Sequence, residues 1–188
     1  MPQLNDLVPL KPYLPLNVGL SSATEATMIS VLGRPRPPLT TDDAPDHASD
    51  LVKALATDFR LDGVHARLIR PAADSLSQAL GGAFQSHSEL RAVLRGNGGL
   101  VVRLRRPTSG IPSTKISNHA WGTAVDFALQ GHPSPGATGD VIPYWVALLL
   151  PFFHTAGWYS GIAFKDDMHF EVADQTIHAW AAAGRFNV

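Results

Sequence analysis

The sequence predicts an α+β fold: a small antiparallel sheet with helices packed on its far face. Three observations lead there. Short apolar runs with strand alternation are mixed with helix-period segments, and no βαβ rhythm connects them. The length, 188 residues, is one domain's worth or one domain with an arm, enough to bury a core without staples. Hydrophobic residues make up 45 % and charged residues only 16 %, which excludes wholesale disorder.

The elements follow in order. Residues 1–54 hold eight of the 15 prolines, and Arg34-Pro35-Arg36-Pro37-Pro38 favours extended backbone. They read as a Pro-rich N-terminal arm packed on a main domain at 55–188. Within the arm a helix is predicted over Ser22–Leu32, with Ser22 as N-cap and Glu25 completing a capping box. In the main domain His65–Ile69 reads as a strand, and Pro71 opens a helix reaching about Ala83. Ser86–Arg95 reads as a second helix, ended by Gly96-Asn97-Gly98-Gly99. Strands follow at Leu100–Leu104, Ala124–Leu129 and Met168–Val172, and helices at Pro143–Ala156 and Gln175–Ala183, with loops at 107–115 and 131–140.

Composition narrows the function. The 15 basic and 16 acidic residues leave a net charge of -1, so no general basic surface for nucleic acid is expected. The most apolar run, Val141–Phe153, contains Pro143 and Pro151 and is too short to span a bilayer. The N-terminus lacks a basic n-region and reads as having no secretory signal. The absence of cysteine excludes disulfides, thiolate zinc sites and a cysteine nucleophile, so any metal must be held by His, Asp or Glu.

Two segments carry such ligands. In Ser117-Asn118-His119-Ala120-Trp121-Gly122-Thr123-Ala124-Val125-Asp126-Phe127, Gly122 permits a tight turn. Beyond it Ala124 and Asp126 face one way and Val125 and Phe127 the other. A carboxylate buried in such a strand wants a cation or several donors. In Asp166-Asp167-Met168-His169-Phe170-Glu171-Val172, His169 and Glu171 share the polar face, and Asp166 precedes His169 by three residues. Glu171 reads either as an orienter of a ligand or as a solvated strand residue. Together His119, Asp126 and His169 suit Zn²⁺ with a fourth position open, the pattern of a catalytic site. Asp166 is placed to take a proton from water and pass it to a leaving amine.

The stretch Ser117-x-His119-x-x-Gly122-x-Ala124-x-Asp126 resembles the SxHxxGxAxD motif of the D-Ala-D-Ala carboxypeptidase and L-Ala-D-Glu endopeptidase family of zinc peptidases, which includes phage endolysins. Five fixed positions in such a window recur by chance on the order of once in 10⁴ chains of this length. Asp166-x-x-His169 is similar to the family's second motif. The resemblance covers roughly residues 60–175. It implies a hedgehog/DD-peptidase-like fold, zinc on His119, Asp126 and His169, and Asp166 as general base. It also implies an arginine that binds a substrate carboxylate or carbonyl. Arg103, Arg105 and Arg106 are the candidates, with Arg103 preferred, and Ser117 is a substrate or supporting contact. Trp121 is a further candidate, as an aromatic wall of a substrate groove.

These readings converge on a zinc peptidase that hydrolyses the stem peptide of peptidoglycan, as either an L-Ala-D-Glu endopeptidase or a D-Ala-D-Ala carboxypeptidase. It is expected to be a monomer that reaches the cell wall after lysis or by other delivery machinery. Two alternatives are a cytoplasmic D-Ala-D-Ala dipeptidase and a non-catalytic zinc-holding module that binds the wall or sits in a virion.

Overall fold

A computed structural model describes residues 2–106, 113–132 and 139–188. Its centre is a four-stranded antiparallel sheet in the order β4 (Leu94–Gly98), β5 (Ala124–Leu129), β8 (His169–Val172), β7 (Trp158–Ser160). Two smaller antiparallel pairs flank it. One is the hairpin of β2 (Ala56–Leu61) and β3 (Val64–Ile69); the other joins β1 (Leu7–Pro9) to β6 (Val141–Pro143). The protein is thus α+β with small antiparallel sheets, as the mixed periodicities suggest.

Register decides what each face of the central sheet carries. Asp126 pairs with His169, Val125 with Phe170 and Ala124 with Glu171. Paired residues project to the same face, and neighbours along a strand project to opposite faces. Val125, Phe127, Phe170, Val172 and Trp158 therefore line one apolar face, all nearly fully buried. Against it packs α5 (Tyr144–Thr155), whose Phe153 touches Phe127, Phe170 and Trp158 with ring centroids 4.3–5.8 Å apart. Helix α3 (Arg70–Ser86) lies against α5 and buries Leu76, Leu80 and Ala83. The Trp158 indole donates to Ser75 Oγ at 3.0 Å, which joins this helix to the sheet. The opposite face carries Asp126, His169 and Glu171.

Several elements differ from the sequence reading. The helix predicted from Ser86 spans only Ser88–Val93 (α4), and the chain enters β4 at once. Gly96 and Gly99 do not end a helix. They let the chain pass close to β3: a Cβ on Gly96 would stand 2.3 Å from His65 O, and one on Gly99 2.5 Å from Arg67 O. The strand predicted at Leu100–Leu104 is not regular, and only Leu104 bridges, to Ile116. The hairpin strand β2 went unread, although Asp62-Gly63 is a turn pair between two strand-like runs. Tyr159 and Ser160 belong to β7. The loops predicted at 107–115 and 131–140 lie largely outside the described residues.

The N-terminal region is built into the molecule. Helix α1 (Glu25–Leu32) starts after Thr24, whose hydroxyl accepts from Thr27 N; Ser22 is not the cap. Helix α2 (Asp50–Leu55) is capped by Ser49 and spans the 54/55 boundary drawn from composition. Met28, Leu32, Val52 and Leu55 are at most 1 % exposed and belong to the same core cluster as Leu76 and Phe153. The chain closes with α6 (Asp174–Ala182). No helix of the described residues is long and apolar enough to cross a membrane.

A core shared in this way predicts one unfolding transition. Met28→Ala, in the N-terminal region, and Phe153→Ala, under the sheet, should each destabilise that same transition, by about 2–5 kcal/mol. Urea unfolding followed by both tryptophan fluorescence and far-UV circular dichroism checks this. Two separate transitions would mean an independently folded arm.

Candidate metal centre

Three elements bring the ligands together. His119 sits on a short 3-10 turn, Asn118–Trp121. Gly122 follows with φ 65°, and a Cβ there would press on Ile69 N at 3.0 Å, so the turn into β5 needs glycine. Asp126 lies on β5 and His169 directly opposite on β8. His119 and His169 are 3 % and 7 % exposed, and Asp126 is half-buried.

The donor atoms form a small triangle. His169 Nδ1 is 2.9 Å from Asp126 Oδ1, His119 Nε2 is 3.2 Å from the same oxygen, and the two nitrogens are 3.2 Å apart. Neighbours fix which atoms point inward. His119 Nδ1 donates to Gly99 O at 2.7 Å, because a carbonyl only accepts, and this leaves the Nε2 lone pair facing the centre. His169 Nε2 donates to Glu171 Oε2 at 3.0 Å, which turns the Nδ1 lone pair inward. Two lone pairs and a carboxylate oxygen packed this closely repel one another unless positive charge sits among them, either a metal ion or, in the metal-free protein, the proton that His169 Nδ1 takes up and directs at Asp126. Donors at about 2.0–2.1 Å on a tetrahedral zinc ion stand about 3.4 Å apart, so this set fits with little adjustment.

The electrostatics agree with that demand. Burial disfavours the charged form of His169, but the bonds to Asp126 and Glu171 outweigh it and push its pKa up to about 10. Burial also opposes ionisation of Asp126, yet the two histidines hold its pKa well below the usual carboxylate range. Glu171 is buried too, and His169, Ser22 and Asn118 together keep it ionised, with a lowered pKa. The centre is an anionic pocket that favours positive charge.

Asp166 enters from the loop before β8. A 3-10 turn at Gly161–Phe164 and left-handed Lys165, φ 66°, return the chain so that Asp166 N donates to Gly161 O at 3.0 Å. Its carboxyl is half-buried. Burial, joined by the charge of Asp126, raises its pKa, against the pull of His169, His119 and Arg103. Arg103 is half-buried as well. Burial and Arg106 lower its pKa, while Asp126, Asp43 and Asp166 oppose this, so its guanidinium stands in the field of the centre. Its Nη1 donates to Leu104 O, and its buried Nε has no hydrogen-bond partner among the described residues. Arg105 instead directs Nε to Ile116 O, and Arg106 is exposed.

Residues 112–172 match the family model described as D-alanyl-D-alanine carboxypeptidase. The match takes in His119, Asp126, Asp166 and His169 and supports a metallopeptidase. No curated protein matches the chain. Arg103 and the whole N-terminal region lie outside the matched stretch.

Ser117 and Trp121 are both buried. The Ser117 N–H donates to Arg103 O at 3.1 Å. Trp121 is 0 % exposed and its indole donates to Gly33 O, so its ring belongs to the core and not to a groove wall. The exposed aromatic beside the cluster is Phe164, 5.6 Å from the His169 ring centre and stacked on Tyr159. Glu171 proves to be 3 % exposed and bonded to His169, which settles its two readings in favour of orientation. A cavity of about 280 Å³ lies by Leu16, Leu150, Phe153 and Phe170, and none of the ligand residues lines it.

The triangle should take up one zinc ion per chain, and His169→Ala should abolish this, as read by equilibrium dialysis. With its raised pKa, His169 is an imidazolium in the metal-free protein at pH 8. Zinc binding there should therefore release about one proton, and affinity should fall as the pH is lowered. Titration calorimetry in buffers of different ionisation enthalpy measures the release.

Proposed function

We propose that this protein is a zinc-dependent peptidase acting on the stem peptide of peptidoglycan, as an L-Ala-D-Glu endopeptidase or a D-Ala-D-Ala carboxypeptidase. The observation that carries the reading is the inward-facing triangle of His119, Asp126 and His169, with half-buried Asp166 three residues before one ligand. The match of residues 112–172 to the D-alanyl-D-alanine carboxypeptidase model supports the substrate class.

Zinc, when bound, supplies Lewis acidity and lowers the pKa of the attacking water towards about 7. The chain's own groups do the rest. Asp166 takes a proton from the water as its oxygen bonds to the scissile carbonyl carbon. When the C–N bond breaks, Asp166 returns that proton to the departing amine nitrogen. Burial raises its pKa, which makes its carboxylate a stronger base toward the water than an exposed one. Arg103 holds a substrate carboxylate or carbonyl through its planar guanidinium, which stands half-buried in the field of Asp126 and Asp166. Phe164 supplies an apolar wall beside His169. The protein works as a monomer.

The test is a digest of purified peptidoglycan read by mass spectrometry. Wild type with zinc should release stem-peptide fragments whose new termini name the bond. Asp166→Asn should lose about 10²–10⁴-fold in rate while keeping its zinc, and a chelator should abolish release. No fragments from zinc-loaded wild type would refute wall hydrolysis. Free D-Ala-D-Ala as substrate would then separate the dipeptidase from a non-catalytic wall-binding module. Arg103→Lys keeps the charge but loses the planar fork, so KM should rise about tenfold or more, with a smaller change in kcat.

A further inference from the structure

The stretch Ser21–Glu25 lies more than eighty residues before the first ligand, outside the matched region, yet it touches both ligand-bearing segments. Ser22 bridges Ala173, and its hydroxyl donates to Glu171 Oε1 at 2.5 Å. Asn118, the residue before the ligand His119, donates from Nδ2 to Glu171 Oε2 at 2.8 Å and to Ala23 O at 3.2 Å. Glu25 Oε2 accepts from Ile116 N at 3.0 Å, three residues before His119. Thr24 N donates to Asp174 Oδ1 at 3.3 Å, and Asp174 N donates to Ser21 O at 2.9 Å.

We propose that Ser21–Glu25 is a clasp that sets the affinity and ligand geometry of the metal centre, with Ser22 and Glu171 as positioning residues. The inference rests on the metal reading above. Its logic is a relay of hydrogen bonds. Glu171 is 3 % exposed, and each of its oxygens has a donor from outside β8: Ser22 on Oε1 and Asn118 on Oε2. These donors fix the plane of the carboxylate. The fixed Oε2 in turn holds the Nε2–H of His169, so that Nδ1 presents its lone pair to the centre. Without the Ser22 hydroxyl, a buried carboxylate oxygen loses its donor, and the carboxylate relaxes away from its place under His169. Partners of this kind typically change metal affinity by about 10–100-fold. Through Ser22 the N-terminal region acts on His169, with which it shares no hydrogen bond among the described residues.

The test uses the full-length chain, with zinc and cobalt(II) as probes. Zinc affinity is measured by competition with a chromophoric chelator, ligand geometry by the cobalt absorption spectrum, and folding by the melting temperature of the metal-free protein. Ser22→Ala should weaken zinc about tenfold and alter the cobalt bands. Ser22→Thr, which keeps the hydroxyl, should restore both. Ser30→Ala, exposed on α1 and outside the clasp, should match wild type. Glu171→Gln, which keeps the shape, should weaken zinc more than Ser22→Ala does, and it carries the test should Ser22→Ala fail to fold. Equal affinity and identical cobalt bands in Ser22→Ala and wild type would overturn the clasp, even with a lowered melting temperature, and would leave the metal reading standing. Failure of wild type itself to bind zinc or cobalt would overturn the metal reading and the clasp with it.

Discussion

Asp126 and His169 face each other across β5 and β8, and the cluster they form with His119 puts three electron-rich atoms within about 3 Å of one another. Such a group is tolerable in a protein interior only when positive charge sits among its members. Much of the surrounding structure serves this constraint. The register of two strands sets the carboxylate against one imidazole, and a left-handed glycine swings the other imidazole in from a 3-10 turn. Gly99 O and Glu171 then dictate which nitrogen of each ring is bare. Shifting β5 against β8 by one residue would set Val125 in place of Asp126, so the site is as strict as the sheet register.

The sheet does two jobs with one set of strands. Its apolar face is clamped by Phe153 of α5 and the buried side of α3, and this rigid layer supports the polar face. Ligands carried on paired strands with a packed back are held more narrowly than ligands on loops. The groups assigned to move protons or grip substrate stand differently. Asp166 follows a short turn and Arg103 an irregular segment, both half-buried at the edge of the rigid platform. Their burial is enough to raise the pKa of one and lower that of the other while leaving each open to a ligand.

The site was more legible than the fold around it. His119, Asp126 and His169 stood out because ligand chemistry demands particular residue types at particular spacings, and alternation along a strand shows which of them share a face. Ala124–Leu129 and the helix after Pro71 were readable for the same reason: each has an unbroken period and a clear end. The segment 86–104 was misread because its glycines look like a helix stop. They are there because β3 passes against them, a contact between distant parts of the chain that leaves no local trace. Trp121 was assigned to a groove on residue type alone, and burial placed it in the core.

By itself the sequence determined the α+β class, the identity of three metal-ligand candidates and the candidate base, since these depend on local periodicity and on the chemistry of side chains a few residues apart. Only the tertiary structure decided that the donor atoms converge, which tautomer each histidine holds, that Glu171 is buried beneath His169, and that Ser22 is a partner of Glu171 and not a helix cap. Those outcomes are set by hydrogen bonds between residues up to about 150 positions apart. A serine hydroxyl has no local feature that distinguishes capping a helix from bonding a carboxylate; the tertiary packing that sets Glu171 beside Ser22 makes that choice.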